Sequence, residues 1–240
     1  MSSTASSSPA TAPISLRDSA LFLDFDGTLV PLQDDPDTVQ LPPNGTETLL
    51  ALKAASSGAV ALISGRDIRD LSSRTPIDVL RAGGHGLEIC HPGQIPTPSQ
   101  APVDAALRTK VETSIAKYSG VRLEDKGPVL AIHYRQNPSV EPDLFDVLSA
   151  IAKETPDYKS QQGKMVIELK PTRANKGIAL ASLMQSSPFE GRIPIMVGDD
   201  TTDEDAMRVA RELGGFGVKV GEGDTCAEFR LHDPNAVWAW

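Results

Sequence analysis

An apolar run that ends in acids, Ala20-Leu21-Phe22-Leu23 followed by Asp24-Phe25-Asp26-Gly27-Thr28-Leu29, constrains this chain more than any other segment. Its unbroken hydrophobicity is that of a strand buried on both faces, as found inside parallel sheets. In a regular strand Asp24 and Asp26 would point the same way, and Gly27 lets the chain turn sharply out of the sheet. Strand carboxyl ends are where open α/β sheets bind ligands. Taken alone, an Asp-x-Asp after an apolar strand is also what a plain turn looks like.

The following residues keep the same rhythm. Thr46 to Ala55 has helical spacing, Ala59 to Ile63 is a second buried strand halted by Ser64-Gly65-Arg66, and Asp67 to Ser73 reads as a helix. Val79 to Ala82 is a third strand before Gly83-Gly84-His85-Gly86. Strands alternating with helices predict an α/β fold with a parallel sheet flanked by helices. After Pro92 the order changes. A Pro/Gln-rich linker (Gly93 to Pro102) leads to a helix with the apolar stripe Val103, Leu107, Val111, Ile115 and Tyr118. Val121 to Glu124 and Val129 to Tyr134 read as strands, and a second helix carries Leu144, Phe145, Leu148 and Ile151. Tyr158 to Gln161 and Met165 to Leu169 form a hairpin turning at Gly163. This block predicts an inserted α+β unit with a small antiparallel sheet. From Thr172 the first rhythm resumes, with a helix from Ile178 to Met184 and a strand from Ile193 to Val197. A helix then opens at Thr201-Thr202-Asp203-Glu204, and Phe216 to Val220 is a last core strand. The expected organisation is a disordered tail over 1–18, a core over 19–97 and 171–240, and an inserted cap over 98–170.

Three further loop motifs stand at element ends. Ser64, with Gly65 and Arg66, is on its own equally a turn or cap serine. Asn175-Lys176-Gly177 puts a cation at a helix start, where it opposes the helix dipole. Anion binding explains Lys176 better than a solvated surface does. In Gly198-Asp199-Asp200-Thr201-Thr202-Asp203-Glu204, the helix dipole and a capping box from Thr201 to Glu204 account for Asp203 and Glu204. They leave Asp199 and Asp200, two like charges at a strand end, unexplained. A cation between them and Asp24 would explain both.

With Gly27-Thr28-Leu29 following, the first motif resembles motif I of the haloacid dehalogenase (HAD) superfamily of phosphotransferases. Ser64, Lys176 and Gly198-Asp199-Asp200 match its other motifs in order. The resemblance implies a Rossmann-like HAD core carrying a substrate-selecting cap. It implies Asp24 as the nucleophile on phosphorus, and Asp26 as general acid, then as base for the attacking water. Ser64 and Lys176 would hold the phosphoryl group, in a site lined by Gly27, Thr28, Gly65 and Arg66. Mg²⁺ is the implied cofactor, held by the Asp24 and Asp199 side chains and the Asp26 carbonyl. Asp200 and Asp203 would act through water or orient the loop. An aspartyl phosphate splits one hard displacement into two. An oxygen-ligated Mg²⁺ offsets repulsion between Asp24 and phosphate.

Inside the insertion, Glu124-Asp125-Lys126-Gly127, Ala131-Ile132-His133-Tyr134-Arg135 and Gly163-Lys164-Met165-Val166-Ile167-Glu168-Leu169-Lys170-Pro171 look like the trehalose-6-phosphate phosphatases. Gly84-His85-Gly86-Leu87-Glu88 and the segment from Gly198 to Glu204 match the same group. The likeness runs from about Ser19 to about Lys219. It implies trehalose 6-phosphate as substrate, gripped by Glu124, Lys126, Arg135, Lys164 and Glu168, with His85 near the cap junction. Ionised groups suit this task because they make the stronger hydrogen bonds. On spacing alone these charges read as a solvated sheet face, and His133 and Lys170 stay open between structural and sugar-binding roles. Competing readings are a phosphatase of another sugar phosphate, such as sucrose 6-phosphate, and a catalytically silent sugar-phosphate-binding regulator. The chain departs from the family in a short C-terminus, Pro234 to Trp240, on which the chemistry is not expected to depend.

Composition narrows the partners. With 40% hydrophobic and 23% charged residues among 240, the chain can bury a core and a second unit. No apolar run approaches the ~20 residues of a membrane-spanning helix. A net charge of -9 argues against nucleic acid. The two cysteines, Cys90 and Cys226, lack metal or disulfide spacing, which suggests a reducing compartment. The first dozen residues lack the basic start and apolar core of a secretory signal. The expectation is a cytoplasmic, monomeric enzyme acting on a small molecule.

Overall fold

The structure, a computed structural model, describes residues 14–33, 35–97 and 102–240. Its elements in chain order are β1 (Ser19–Leu23), α1 (Gly45–Ala55), β2 (Val60–Ile63), α2 (Ile68–Arg74), β3 (Leu80–Gly83), β4 (Glu88–Cys90), α3 (Ala105–Ile115), β5 (Arg122–Lys126), β6 (Val129–His133), α4 (Glu141–Lys153), β7 (Tyr158–Gly163), β8 (Val166–Pro171), α5 (Lys176–Leu183), β9 (Ile193–Gly198), α6 (Thr201–Glu212), β10 (Phe216–Val220), β11 (Phe229–Leu231) and α7 (Pro234–Ala239). Two sheets result.

The larger sheet has seven strands in the order β11-β10-β9-β1-β2-β3-β4. Only the β3–β4 pair is antiparallel. Strand alternation sorts its side chains onto two faces. Ala20, Phe22, Ala61, Ile63 and Met196 join one cluster with Leu180 and Leu183 of α5 and Ala206 and Met207 of α6. Leu21, Leu23, Val60, Leu62, Ile195 and Val197 join the other with Leu49 of α1 and Leu71 of α2. Burial on both faces is why these strands are apolar throughout. The chain leaves β1 toward β2 and β3 and later fills the other side with β9 and β10. The carboxyl ends of β1 and β9 therefore flank a switch point, where such sheets bind ligands.

The smaller sheet, β5-β6-β8-β7, is antiparallel throughout. Leu130, Ile132, Ile167 and Leu169 turn to α3 and α4 and make its dry core with Leu107, Val111, Leu144 and Leu148. The opposite face carries polar residues at alternate positions. The α-β-β-α-β-β order matches the expected insertion.

Several expectations need correction. Residues 14–18 are not a loose tail: they form a turn, with Ile14 and Leu16 packed on the core. Residues 1–13 and the cap boundary at 98 lie outside the described residues. Phe216–Val220 is not the last core strand, because β11 pairs with it in parallel. α6 is capped one residue earlier than expected. Asp200 is its N-cap, and the Asp203 side chain accepts from the Asp200 N–H. Glu204 instead accepts from the Cys226 N–H.

Candidate active site

Asp24 follows the last residue of β1, and its N–H donates to the Val197 carbonyl on β9. The chain then folds back, with the Leu29 and Val30 N–H groups donating to the Phe25 carbonyl and the Gly27 N–H to the Val30 carbonyl. Gly27 sits at φ +79°, and a Cβ there would overlap the Asp199 carboxyl. Only glycine fits. Thr28, fully buried, donates to Asp24 Oδ2 at 3.1 Å. The Trp238 indole N–H on α7 donates to the Leu29 carbonyl at 2.7 Å.

Lys176, the first residue of α5, is 3% exposed. Its ammonium lies 2.6 Å from Asp24 Oδ1 and 2.7 Å from Asp203 Oδ1. Burial opposes its charge, but Asp203 and Asp24 more than offset this and hold Lys176 above the usual lysine range. Burial, then Asp203 and Asp199, push the Asp24 carboxyl well above its ordinary value, against the pull of Lys176. Burial likewise raises Asp199. Its carboxylate pairs with Lys164 of the cap, and its carbonyl accepts from the buried Lys219 ammonium at 2.8 Å.

One carboxylate oxygen from each of Asp24, Asp199 and Asp203 lies within 4.8 Å of the others. Buried carboxylate oxygens held this close together fit a hard divalent cation. Asp203 has little left to give it. Its Oδ2 accepts from the Asp199 and Asp200 N–H groups at 3.0 Å each, and its Oδ1 faces Lys176. Asp24 and Asp199 are the side chains that could hold an ion, and Asp203 tethers the Asp199–Asp200 backbone and the Lys176 ammonium. Asp200, the helix N-cap, is half-buried on the cavity wall.

Asp26 lies apart from this cluster. Arg66 Nε and Nη2 donate to its two oxygens at 2.7 Å each, while Arg66 Nη1 reaches Asp70 at 2.6 Å. The guanidinium also sits 5.6 Å from the Phe25 ring centroid. Ser64 is buried just past β2 and accepts from the Arg66 N–H at 3.2 Å. Gly65 leaves room for a ring: a Cβ there would stand 2.7 Å from His85 Cε1.

A cavity of about 570 Å³ joins the two sheets. It is lined by Asp24, Asp26, Gly65, Arg66, His85, Lys176, Asp199 and Asp200 from the core, and by Glu124, Lys126, Lys164 and Glu168 from the cap. His133 and Asp70 line it too. Glu168 Oε2 lies 2.6 Å from His85 Nε2 and 3.4 Å from Lys170. Burial works against the Glu168 charge, yet His85 and Lys170 hold its carboxyl far below the usual range. Burial lowers Lys170 to about 8 against that same pair. Gly27, Thr28, Ser64 and Asp203 stand behind the lining. Arg135 is not brought to the cavity: β6 ends at His133, and a turn closed by the Asn137 N–H on the Tyr134 carbonyl carries Arg135 into solvent. Sequence reasoning missed Lys219 and Asp70. A lysine inside the apolar strand Phe216–Val220 was the available signal for the first.

The profile of the trehalose-phosphatase family matches residues 22–235. The chain belongs to the trehalose-phosphatase family. A trehalose-6-phosphate phosphatase of Escherichia coli is 41% identical over 231 residues, spanning 92% of this chain and 84% of the relative. A trehalose-phosphate phosphatase of Arabidopsis thaliana is 32% identical over 239 residues, spanning 90% of this chain and 63% of its own length. Among solved structures, the C-terminal domain of the C. albicans trehalose-6-phosphate phosphatase superposes with a TM-score of 0.83 at 25% identity. That match covers 93% of this chain and 91% of the other. Membership in this phosphatase family agrees with the HAD fold and the inserted cap.

Proposed function

We propose that this chain hydrolyses trehalose 6-phosphate to trehalose and inorganic phosphate through an aspartyl phosphate on Asp24, with Mg²⁺ as cofactor. The observation that carries the reading is the single cavity shared by the Asp24–Lys176–Asp199 floor and the cap carboxylates Glu124 and Glu168. Its volume of about 570 Å³ suits a small polar ligand.

The phosphate would lie over Asp24, with Lys176 and Ser64 supporting its oxygens. Asp24 Oδ2, the oxygen not bonded to Lys176, receives the Thr28 hydroxyl. Attack transfers the phosphoryl group to Asp24, and the sugar oxygen departs with a proton from Asp26. Asp26 then takes a proton from the water that cleaves the aspartyl phosphate. Mg²⁺ would be held by Asp24, Asp199 and the Asp26 carbonyl, where it would supply positive charge beside the transferring group. Lys126, Lys164, Glu124 and Glu168 would read sugar hydroxyls, and closure of the cap would exclude water. The core over 19–97 and 171–240 and the cap over 98–170 thus divide chemistry from selection. No helix among the described residues is long and apolar enough to cross a membrane, and the net charge of -9 does not favour nucleic acid. The same reading makes it a cytoplasmic monomer acting on a small molecule.

The test is phosphate release from a panel of sugar phosphates, with and without Mg²⁺. Trehalose 6-phosphate should be preferred over sucrose 6-phosphate, and chelation should abolish turnover. Asp24→Asn should lose about 10⁴-fold or more in kcat without loss of thermal stability. Turnover surviving that substitution would sink the mechanism, and no turnover of any sugar phosphate by the unaltered protein would favour a silent regulator.

A further inference from the structure

His133 was open between roles in the sequence, and the cap sheet gives it one. Glu124 on β5 and Glu168 on β8 are both register partners of Ala131 on β6, so the two carboxylates rise from one sheet face on either side of a small residue. Adjacent strands are ~4.8 Å apart, which separates their backbones by roughly 10 Å. Each carboxylate is braced through one oxygen by a histidine and a lysine. For Glu168 Oε2 these are His85 Nε2 at 2.6 Å and Lys170 Nζ at 3.4 Å. For Glu124 Oε2 they are His133 Nε2 at 2.7 Å and Lys126 Nζ at 3.9 Å.

The braces differ in depth. His85 and Glu168 are buried between cap and core, whereas Glu124 stands on edge strand β5 with about a third of its side chain exposed. An unbraced glutamate there would sample several rotamers and lose that freedom on binding. The His133 hydrogen bond removes this freedom beforehand. It is also the main influence holding Glu124 below the usual carboxylate range, burial acting against it.

We propose that His133 is a positioning residue for sugar recognition, fixing Glu124 through Oε2 so that Oε1 accepts a hydrogen bond from a substrate hydroxyl. The inference rests on the cavity being a disaccharide-phosphate site. His133 needs no contact with the ligand, since its effect passes through Glu124.

A double-mutant cycle of His133→Leu and Glu124→Gln, assayed on trehalose 6-phosphate and on p-nitrophenyl phosphate, separates this from a structural role. His133→Leu should raise KM for trehalose 6-phosphate about tenfold with little change in kcat. The ratio of kcat/KM on the sugar ester to that on the aryl ester should fall by a similar factor. His133→Gln, whose amide can reach Glu124, should recover most of the loss. In the Glu124→Gln background, His133→Leu should add less than about twofold. Should His133→Leu fail to fold, His133→Asn, whose amide is too short to reach Glu124, carries the same comparison. Equal losses on both esters, multiplicative effects of the two substitutions, or an unchanged KM would each overturn the proposal. Failure of the underlying function would show differently, as an unaltered protein with no preference for trehalose 6-phosphate.

Discussion

The two walls of the cavity hold their charges by opposite means. On the core side, Asp24, Lys176 and Asp203 are all buried, and the two carboxylates share one ammonium. Residues 152 positions apart in sequence meet there because strand order forces them together. On the cap side, Glu124, Lys126 and His133 stand partly exposed, and side chains brace side chains. A network fixed by the fold suits chemistry common to every phosphate ester. A wall fixed by local bracing can change its ligand without disturbing the sheet beneath, because Leu130 and Ile132 face away from it.

The largest effect should come from breaking the core network. Lys176→Met leaves two buried carboxylates unpaired, which costs about 3–5 kcal/mol. A melting temperature within a degree of the unaltered protein would show that this wall is not a network at all. Gly27→Ala tests the same wall through its backbone. The positive φ and the overlap with Asp199 should cost roughly 1–3 kcal/mol and at least about 100-fold in turnover, the loss expected when reacting groups shift by an ångström. Normal kinetics in that variant would mean the loop can move away from Asp199 at no cost.

Glu168 tests the boundary between the walls, since it is a cap residue buried like a core one. Its folded carboxyl lies below its unfolded value, so its stabilisation is present above pH ~4.5 and lost as pH falls through the folded value. Glu168→Gln should therefore be less stable than the unaltered protein by roughly 1–3 kcal/mol at pH 7, and the gap should narrow under acid. Denaturant melts at pH 7 and pH 3.5 read this directly. A gap that widens in acid would reverse the assignment. The smallest effect is expected from Trp238→Phe, which removes one hydrogen bond worth about 1 kcal/mol. A fewfold fall in kcat with KM unchanged would mark the loop, not the cavity, as what Trp238 supports.

This contrast also explains what was legible in the sequence. β1 and its acids were readable because burial on both faces leaves an unbroken apolar run, and the turn needs its glycine at one place. The α-β-β-α-β-β cap was readable from its amphipathic stripes. β4 and β11, three residues each, are too short to show a period. The cap of α6 was displaced by one residue because Asp200 and Asp203 satisfy the same spacing as Thr201 and Glu204. Gly198 decides between them, since a Cβ there would overlap the Asp203 carboxyl. Partnerships such as Lys176 with Asp203 or Arg66 with Asp26 leave no local trace. Arg135 stands two residues beyond the end of β6 at His133, where strand alternation no longer fixes its face.

The bond from Trp238 to the Leu29 carbonyl has a consequence for the order in which the protein is made. Its donor is synthesised 209 residues after its acceptor. A ribosome therefore delivers the Asp24 loop well before its prop, and until Trp238 follows the Leu29 carbonyl lacks this donor. Domains commonly fold from the N-terminus as they emerge. Here the Asp24 loop reaches its final surroundings only after β9, α6 and α7 have followed, so the floor of the cavity is assembled late, from segments far apart along the chain.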